Sequence, residues 1–258
     1  MPYDCNYQKY FIKSGRCRAD LANFQLEFNH MRNLQKLMEE EKKELYLQLF
    51  PQYYFLNTSD DIPSLLMEKL HGETLEDFLG RYSTHQTPRL LLTHRQIRSI
   101  YEQIHNAIFW LFRGHMLHLD ISPQNIFLVN NTFDNIRFID FTGCYYTDLT
   151  LEKNIERGYN RLDYRINPDL PLPQQLRDSC ALLFTRLFFS GNNNYNTYFS
   201  SNRKESLGNK NYRFFQNHYP NLLHCIFSPN TPTPPQPQDC HELLADWESW
   251  YQRLLSLL

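Results

Sequence analysis

Residues 118–143 read HLDISPQNIFLVNNTFDNIRFIDFTG. They set a carboxylate at Asp120, a carboxamide at Asn125 and a second carboxylate at Asp140 around two apolar runs, 126–129 and 136–139. Each run has the length and composition of a β-strand, and the Asn130-Asn131 pair between them suits the tight turn of a hairpin. The spacing has a chemical sense. A loop Asp can accept a hydrogen bond from an attacking hydroxyl. An Asn five residues later can reach a divalent cation, and an Asp at the end of the next hairpin can bridge that cation to phosphate oxygens.

Upstream of this stretch, Thr93 and Gln96 form the pattern of a capping box, which predicts a helix to about residue 112, closed by Gly114. Thr74 with Asp77 marks another helix start. Tyr10-Phe11-Ile12-Lys13, Tyr53-Tyr54-Phe55-Leu56 and Leu65-Leu66-Met67-Glu68 read as short strands, with a turn over 57–63. Between the first two, Phe24, Phe28, Met31, Leu34 and Met38 recur at three- and four-residue steps. That stripe predicts one amphipathic helix from 21 to about 49, ended by Pro51. Downstream, 142–174 reads as irregular. A helix over about 175–189 follows, with Leu176, Cys180, Leu183 and Leu187 on its apolar face, then an Asn192–194 loop. A proline-rich linker at 228–238 and a terminal helix from about His241 complete the chain. The order is strands with one long helix, then mostly helices. It predicts an α+β protein of two lobes sharing a cleft.

Bulk composition narrows the classes. The 258 residues suit one large domain or two lobes, and 41% hydrophobic with 15% aromatic content can build a core. A net charge of −2 without a long basic run does not point to nucleic acid. Six cysteines lie far apart with no C-x-x-C, as expected of reduced thiols in a cytoplasmic protein. The N-terminal residues hold no signal-like apolar run, and the most apolar segment, 104–119, is too polar and short for a membrane span.

The 118–143 stretch resembles the catalytic and metal loops of the protein-kinase superfamily, H-R-D-x-x-x-x-N and D-F-G. The resemblance implies a bilobal kinase-like fold, with a reduced N-lobe and hinge in 1–70 and a C-lobe in 71–258. It implies ATP and Mg²⁺ or Mn²⁺ as cofactors, Asp120 as catalytic base, and Asn125 and Asp140 as metal ligands. His118 would open the catalytic loop. Lys13 in FIK resembles the strand lysine on the α- and β-phosphates, and Glu27, fourteen residues on, resembles its helix partner. In LLMEKLHGETLEDFL, Met67 resembles a gatekeeper against adenine, with Glu68 and Leu70 offering backbone hydrogen bonds. YRINPD at 164–169 resembles the end of an activation segment, and Asp178 the buried aspartate that anchors the catalytic loop.

Three departures qualify the resemblance. Twelve residues without a glycine precede Lys13, so the Gly-rich phosphate loop is expected to be missing or supplied by another segment or an activating partner. Leu119 stands where the family's arginine reads a phosphorylated loop, which excludes activation through that residue. Ser122 replaces a lysine near the γ-phosphate, and Thr142 interrupts D-F-G. The expected activity is phosphoryl transfer to Ser or Thr of a protein substrate. The alternatives are a small-molecule kinase of the aminoglycoside or choline phosphotransferase type and a pseudokinase that binds a protein partner. A short, glycine-poor, asparagine-rich kinase-like chain also resembles bacterial effector kinases delivered into host cells.

Overall fold

The computed structural model describes residues 9–59, 62–81 and 92–156, with 176, 179, 180, 183, 187, 248, 249, 251–253, 255 and 256. Three strands, β1 (Tyr10–Ser14), β2 (Tyr53–Asn57) and β3 (Ser64–Glu68), form an antiparallel sheet in the order β1-β3-β2. Lys13 pairs with Leu65 and Phe11 with Met67. Because side chains two apart on a strand share a face, Phe11 and Lys13 point the same way.

Helix α1 (Leu21–Glu40) crosses behind this sheet and buries Phe24, Glu27, His30, Met31, Leu34, Gln35 and Met38. The apolar stripe is the one read from the sequence, but the helix ends earlier. At its end Lys42 takes φ 55°, its N–H reaching the Glu39 carbonyl (3.0 Å) and that of Lys43 the Met38 carbonyl (2.8 Å). That is a Schellman closure with a lysine in the left-handed position usually held by glycine. A separate short helix, α2 (Glu44–Leu47), follows. The charged run EEEKKE carries no breaker, so the stop came from tertiary ties such as the Arg113–Glu41 ion pair (2.7 Å).

Beyond β3 the chain forms β4 (Gly72–Thr74), α3 (Leu75–Gly80) and α4 (His94–Arg113). Thr74 caps α3 by accepting from the Asp77 N–H (3.1 Å). Thr93 and Gln96 make the reciprocal capping box, 3.3 and 2.8 Å. Helix α4 buries Ile97, Ile100, Tyr101, Ile104, Ala107, Ile108 and Leu111, the three-and-four rhythm of a core helix. Then come β5 (Met116–Leu117), β6 (Ile126–Val129) and β7 (Ile136–Phe138), and β4-β6-β7 make a second antiparallel sheet. Asn130 and Asn131 turn the hairpin with φ of 53° and 59°, values asparagine tolerates better than most residues.

Gly72 deserves its glycine. Its φ is +139°, and a Cβ there would sit 2.0 Å from the Leu128 carbonyl oxygen.

The segment after Asp140 is more regular than expected. It holds β8 (Tyr145–Tyr146), paired with β5, and α5 (Leu151–Glu156). Asn154, fully buried, donates to the carbonyls of Tyr146, Leu149 and Thr150 and accepts from the Tyr146 N–H (2.8 Å). Leu176, Cys180, Leu183 and Leu187 are helical and buried, as the apolar face predicted for 175–189 requires. The 164–169 motif, Asp178, the asparagine loop and the proline-rich linker lie outside the described residues. Cys17, Cys144 and Cys180 are free thiols.

Candidate active site

Strand β1 and helix α1 bring Lys13 and Glu27 together. The ammonium lies 3.1 and 3.0 Å from the two Glu27 oxygens. Glu27 occupies a core position and is fully buried, so its charge needs partners. It has three: Lys13, the Tyr53 hydroxyl donating to Oε1 (2.7 Å) and the Thr142 hydroxyl donating to Oε2 (3.0 Å). Burial holds the Tyr53 phenol well above its ordinary range, with the Glu27 carboxylate adding to the effect, so it stays a donor.

Lys13 also donates to Asp140 Oδ1 (2.9 Å) and to the Thr142 hydroxyl (2.6 Å). Burial alone would lower its pKa, and the Glu27 and Asp140 carboxylates outweigh that and raise it. For Asp140 burial pushes upward, and the Lys13 ammonium more than offsets it, leaving the carboxyl below its usual range. Asp140 has φ 61°, a strained value for a non-glycine residue of the kind found at functional positions.

Asp120 and Asn125, expected in the catalytic loop, pair with each other nearby. The Asn125 side chain donates through Nδ2 to the Asp120 carboxylate (2.9 Å) and carbonyl (3.1 Å). That leaves Asn125 Oδ1, the atom a cation needs, outside the pair. The two groups are joined through backbone and imidazole: the Ile139 N–H donates to the Asn125 carbonyl (3.0 Å), and His118 Nε2 donates to the Ile139 carbonyl (3.2 Å). Phe141 packs edge-on against His118 at 5.3 Å. Ser179 anchors the loop by accepting from the Ile121 N–H (2.6 Å). Leu119 is fully buried, and Ser122 is buried with its hydroxyl lacking a hydrogen-bond partner among the described residues.

A cavity of about 360 Å³ opens against Lys13 and Asp140. Its other walls include Phe11, Met67, Leu70, Phe127 and Ile139, so it is largely apolar, with the Lys13–Asp140 pair at one end and Lys69 also lining it. Such a volume suits a small cofactor. Met67, expected as a gatekeeper, lines the cavity. Glu68 also lines the cavity, but its amide already donates to the Gln52 carbonyl (2.8 Å) and its carboxylate meets Arg137 (3.5 Å). Of the backbone hydrogen bonds expected from Glu68, the N–H is therefore committed elsewhere. The hard oxygen donors of Asp140 and Asn125 match the ligand chemistry of Mg²⁺, which keeps several waters and takes few protein ligands.

The sequence model of the protein kinase domain family matches residues 23–156. The chain belongs to that family. The match takes in Glu27, Asp120, Asn125 and Asp140 and begins after Lys13. Within curated proteins, this kinase domain is 29% identical over 130 residues to myosin light chain kinase 3 of Homo sapiens, covering 50% of this chain and 13% of that protein. It is 31% identical over 77 residues to striated muscle preferentially expressed protein kinase of Danio rerio, covering 30% of this chain and 2% of the relative. The chain thus spans a small part of these relatives. A kinase domain solved by crystallography superposes with a TM-score of 0.52 at 14% identity, over 70% of this chain and 56% of the other. This likeness shows the bilobal α+β kinase fold. Among the described residues, no helix is long and apolar enough to cross a membrane.

The kinase domain's sequence reading missed Tyr53, Thr142 and Ser179 as partners of the site. Tyr53 sat in a strand run and gave no polar signal. In the sequence Thr142 reads only as an interruption of D-F-G. Ser179 stands next to the aspartate expected to anchor the loop, and its hydroxyl makes the anchoring bond recorded at Ile121.

Proposed function

We propose that this chain transfers the terminal phosphoryl group of ATP to a serine or threonine hydroxyl of a protein. The observation that carries the reading is the Lys13 ammonium held jointly by Glu27 and Asp140 at one end of a largely apolar cavity. The apolar walls fit a flat purine, with Met67 against it and Leu70 at its edge. Lys13 then holds the α- and β-phosphates, and Glu27 fixes the lysine's direction. Asp120 accepts the proton of the incoming hydroxyl, while Asn125 keeps that carboxylate oriented through its Nδ2. Asp140 and Asn125 would hold Mg²⁺ or Mn²⁺, which when bound neutralises charge on the phosphate oxygens. A protein acceptor agrees with the kinds of kinase the chain is similar to. A cytoplasmic setting, in the chain's own cell or in a host cell as an effector, belongs to the same reading.

The test is transfer of labelled phosphate from ATP to Ser/Thr peptide mixtures and to the protein itself. Wild type should label acceptors. Asp120→Ala should lose transfer while keeping nucleotide binding, and Asp140→Ala should lose both transfer and metal-dependent binding. Unchanged transfer in Asp140→Ala would overturn the assignment.

One observation favours a second reading, a pseudokinase engaging a protein partner. The three protons of Lys13 are already directed at four protein acceptors. A wild type that neither binds nucleotide nor labels any acceptor would favour it.

A further inference from the structure

The loop carrying Asp140 is gripped by Lys13 at two points, Asp140 Oδ1 and Thr142 Oγ1, and Lys13 is gripped in turn by Glu27 from α1. Among the described residues, Thr142 alone hydrogen-bonds to both sides of that ion pair. Its hydroxyl lies 2.6 Å from Lys13 Nζ and 3.0 Å from Glu27 Oε2. An ammonium can only donate and an ionised carboxylate can only accept. The hydroxyl therefore accepts from Lys13 and directs its single proton to the carboxylates, with Glu27 Oε2 at 3.0 Å and Asp140 also drawing on it. A valine of the same shape can do neither, and a glycine, the residue expected in D-F-G, has no atom in reach.

The bond joins positions far apart in the chain, 115 residues for Glu27 and 129 for Lys13, so it ties the loop to α1 and β1 together. It also differs in kind from the Asp140 contact. Asp140 meets Lys13 through Oδ1, and a cation drawing on the same carboxylate competes with the ammonium for its charge. A loop placed by the Asp140–Lys13 pair alone would have that anchor weakened when the ligand arrives.

We infer that Thr142 is a positioning residue that latches the Asp140 loop to the Lys13–Glu27 pair, so that the loop stays in place when Asp140 turns to its ligand. The inference rests on the kinase reading above for its consequence, though the latch itself is a property of the free protein. One proton of Lys13 is spent on the hydroxyl, and the Glu27 oxygen it touches is kept satisfied.

Two measurements separate the latch from the reading it rests on. The first is hydrogen–deuterium exchange of peptides covering residues 140–148 in the free protein, for wild type, Thr142→Val, Thr142→Ser, Asp140→Asn and the Asp140→Asn/Thr142→Val double variant. Thr142→Val should raise exchange in this segment, Thr142→Ser should match wild type, and Asp140→Asn should stay protected unless combined with Thr142→Val. The second is calorimetric affinity for Mg²⁺ with a non-hydrolysable ATP analogue. Thr142→Val should weaken it about tenfold, the worth of one hydrogen bond to a charged group, with Thr142→Ser restoring it. Equal exchange in Thr142→Val and wild type, or a serine variant as exposed as the valine one, overturns the latch. A wild type that binds no analogue overturns the ATP reading, and the exchange comparison still decides the latch.

Discussion

Glu27 shows how a single residue couples stability to chemistry. It is a carboxylate at a core position of α1, kept tolerable by Lys13, Tyr53 and Thr142. Tyr53→Phe keeps the ring and deletes one donor, leaving a buried carboxylate oxygen short of a bond. The expected loss is about 2 kcal/mol in chemical denaturation. The Lys13–Asp140 pair makes a prediction in pH. Asp140 titrates below its ordinary 3.8, so its contribution is fully present above that value and is lost as pH falls through the depressed one. Lys13 titrates above its ordinary 10.5, so its contribution is whole below 10.5 and is lost as pH rises past the raised value. Denaturation curves of wild type and Asp140→Asn should stay a constant distance apart from pH 7 down to about 4 and converge at more acid pH. A gap that closes near neutrality would contradict the pairing. Residues 13 and 27 were readable because a family spacing linked them. Tyr53 and Thr142 were not, because a bond between residues 26 or 115 apart leaves no periodic trace in the chain.

Among the elements, the hairpin of β6 and β7, the helix caps at Thr74 and Thr93 and the stripe of α1 were legible because each is written locally: turn residues, cap pairs and a helical rhythm. The break after α1 was not, since it depends on a lysine in the left-handed region and an ion pair to α4. Strand β8 and helix α5 escaped for a similar reason. Two residues cannot show a period, and their order comes from Asn154 and from pairing with β5. The same dependence on distant partners reaches α1, where His30 lies 3.2 Å from Asp148 in that downstream segment. Where β4 meets β6, Gly72 is required by both its dihedral and the Leu128 carbonyl beneath it. Gly72→Ala should cost about 3 kcal/mol or more, read as a lowered denaturation midpoint, because the sheet edge must move to admit the methyl group.

For the molecule as a whole, the two lobes meet at the cavity, so a ligand there should stabilise both. ATP with Mg²⁺ at a hundred times its dissociation constant should add about 2.7 kcal/mol. In a chain of this size that is a rise in Tm on the order of 5–10 °C. Asp140→Ala should lose the metal-dependent part of that rise, and a wild type that does not shift would favour the partner-binding reading. The overall plan was legible because strands precede helices and the chemical residues fall in a fixed order along them. Leu119 adds a different kind of consequence. Fully buried next to Asp120, it is part of the packing at the place where the family's arginine would read a phosphate. Leu119→Arg would set a charge in the core unless its neighbours changed with it, so control of the loop is more easily built elsewhere on the surface.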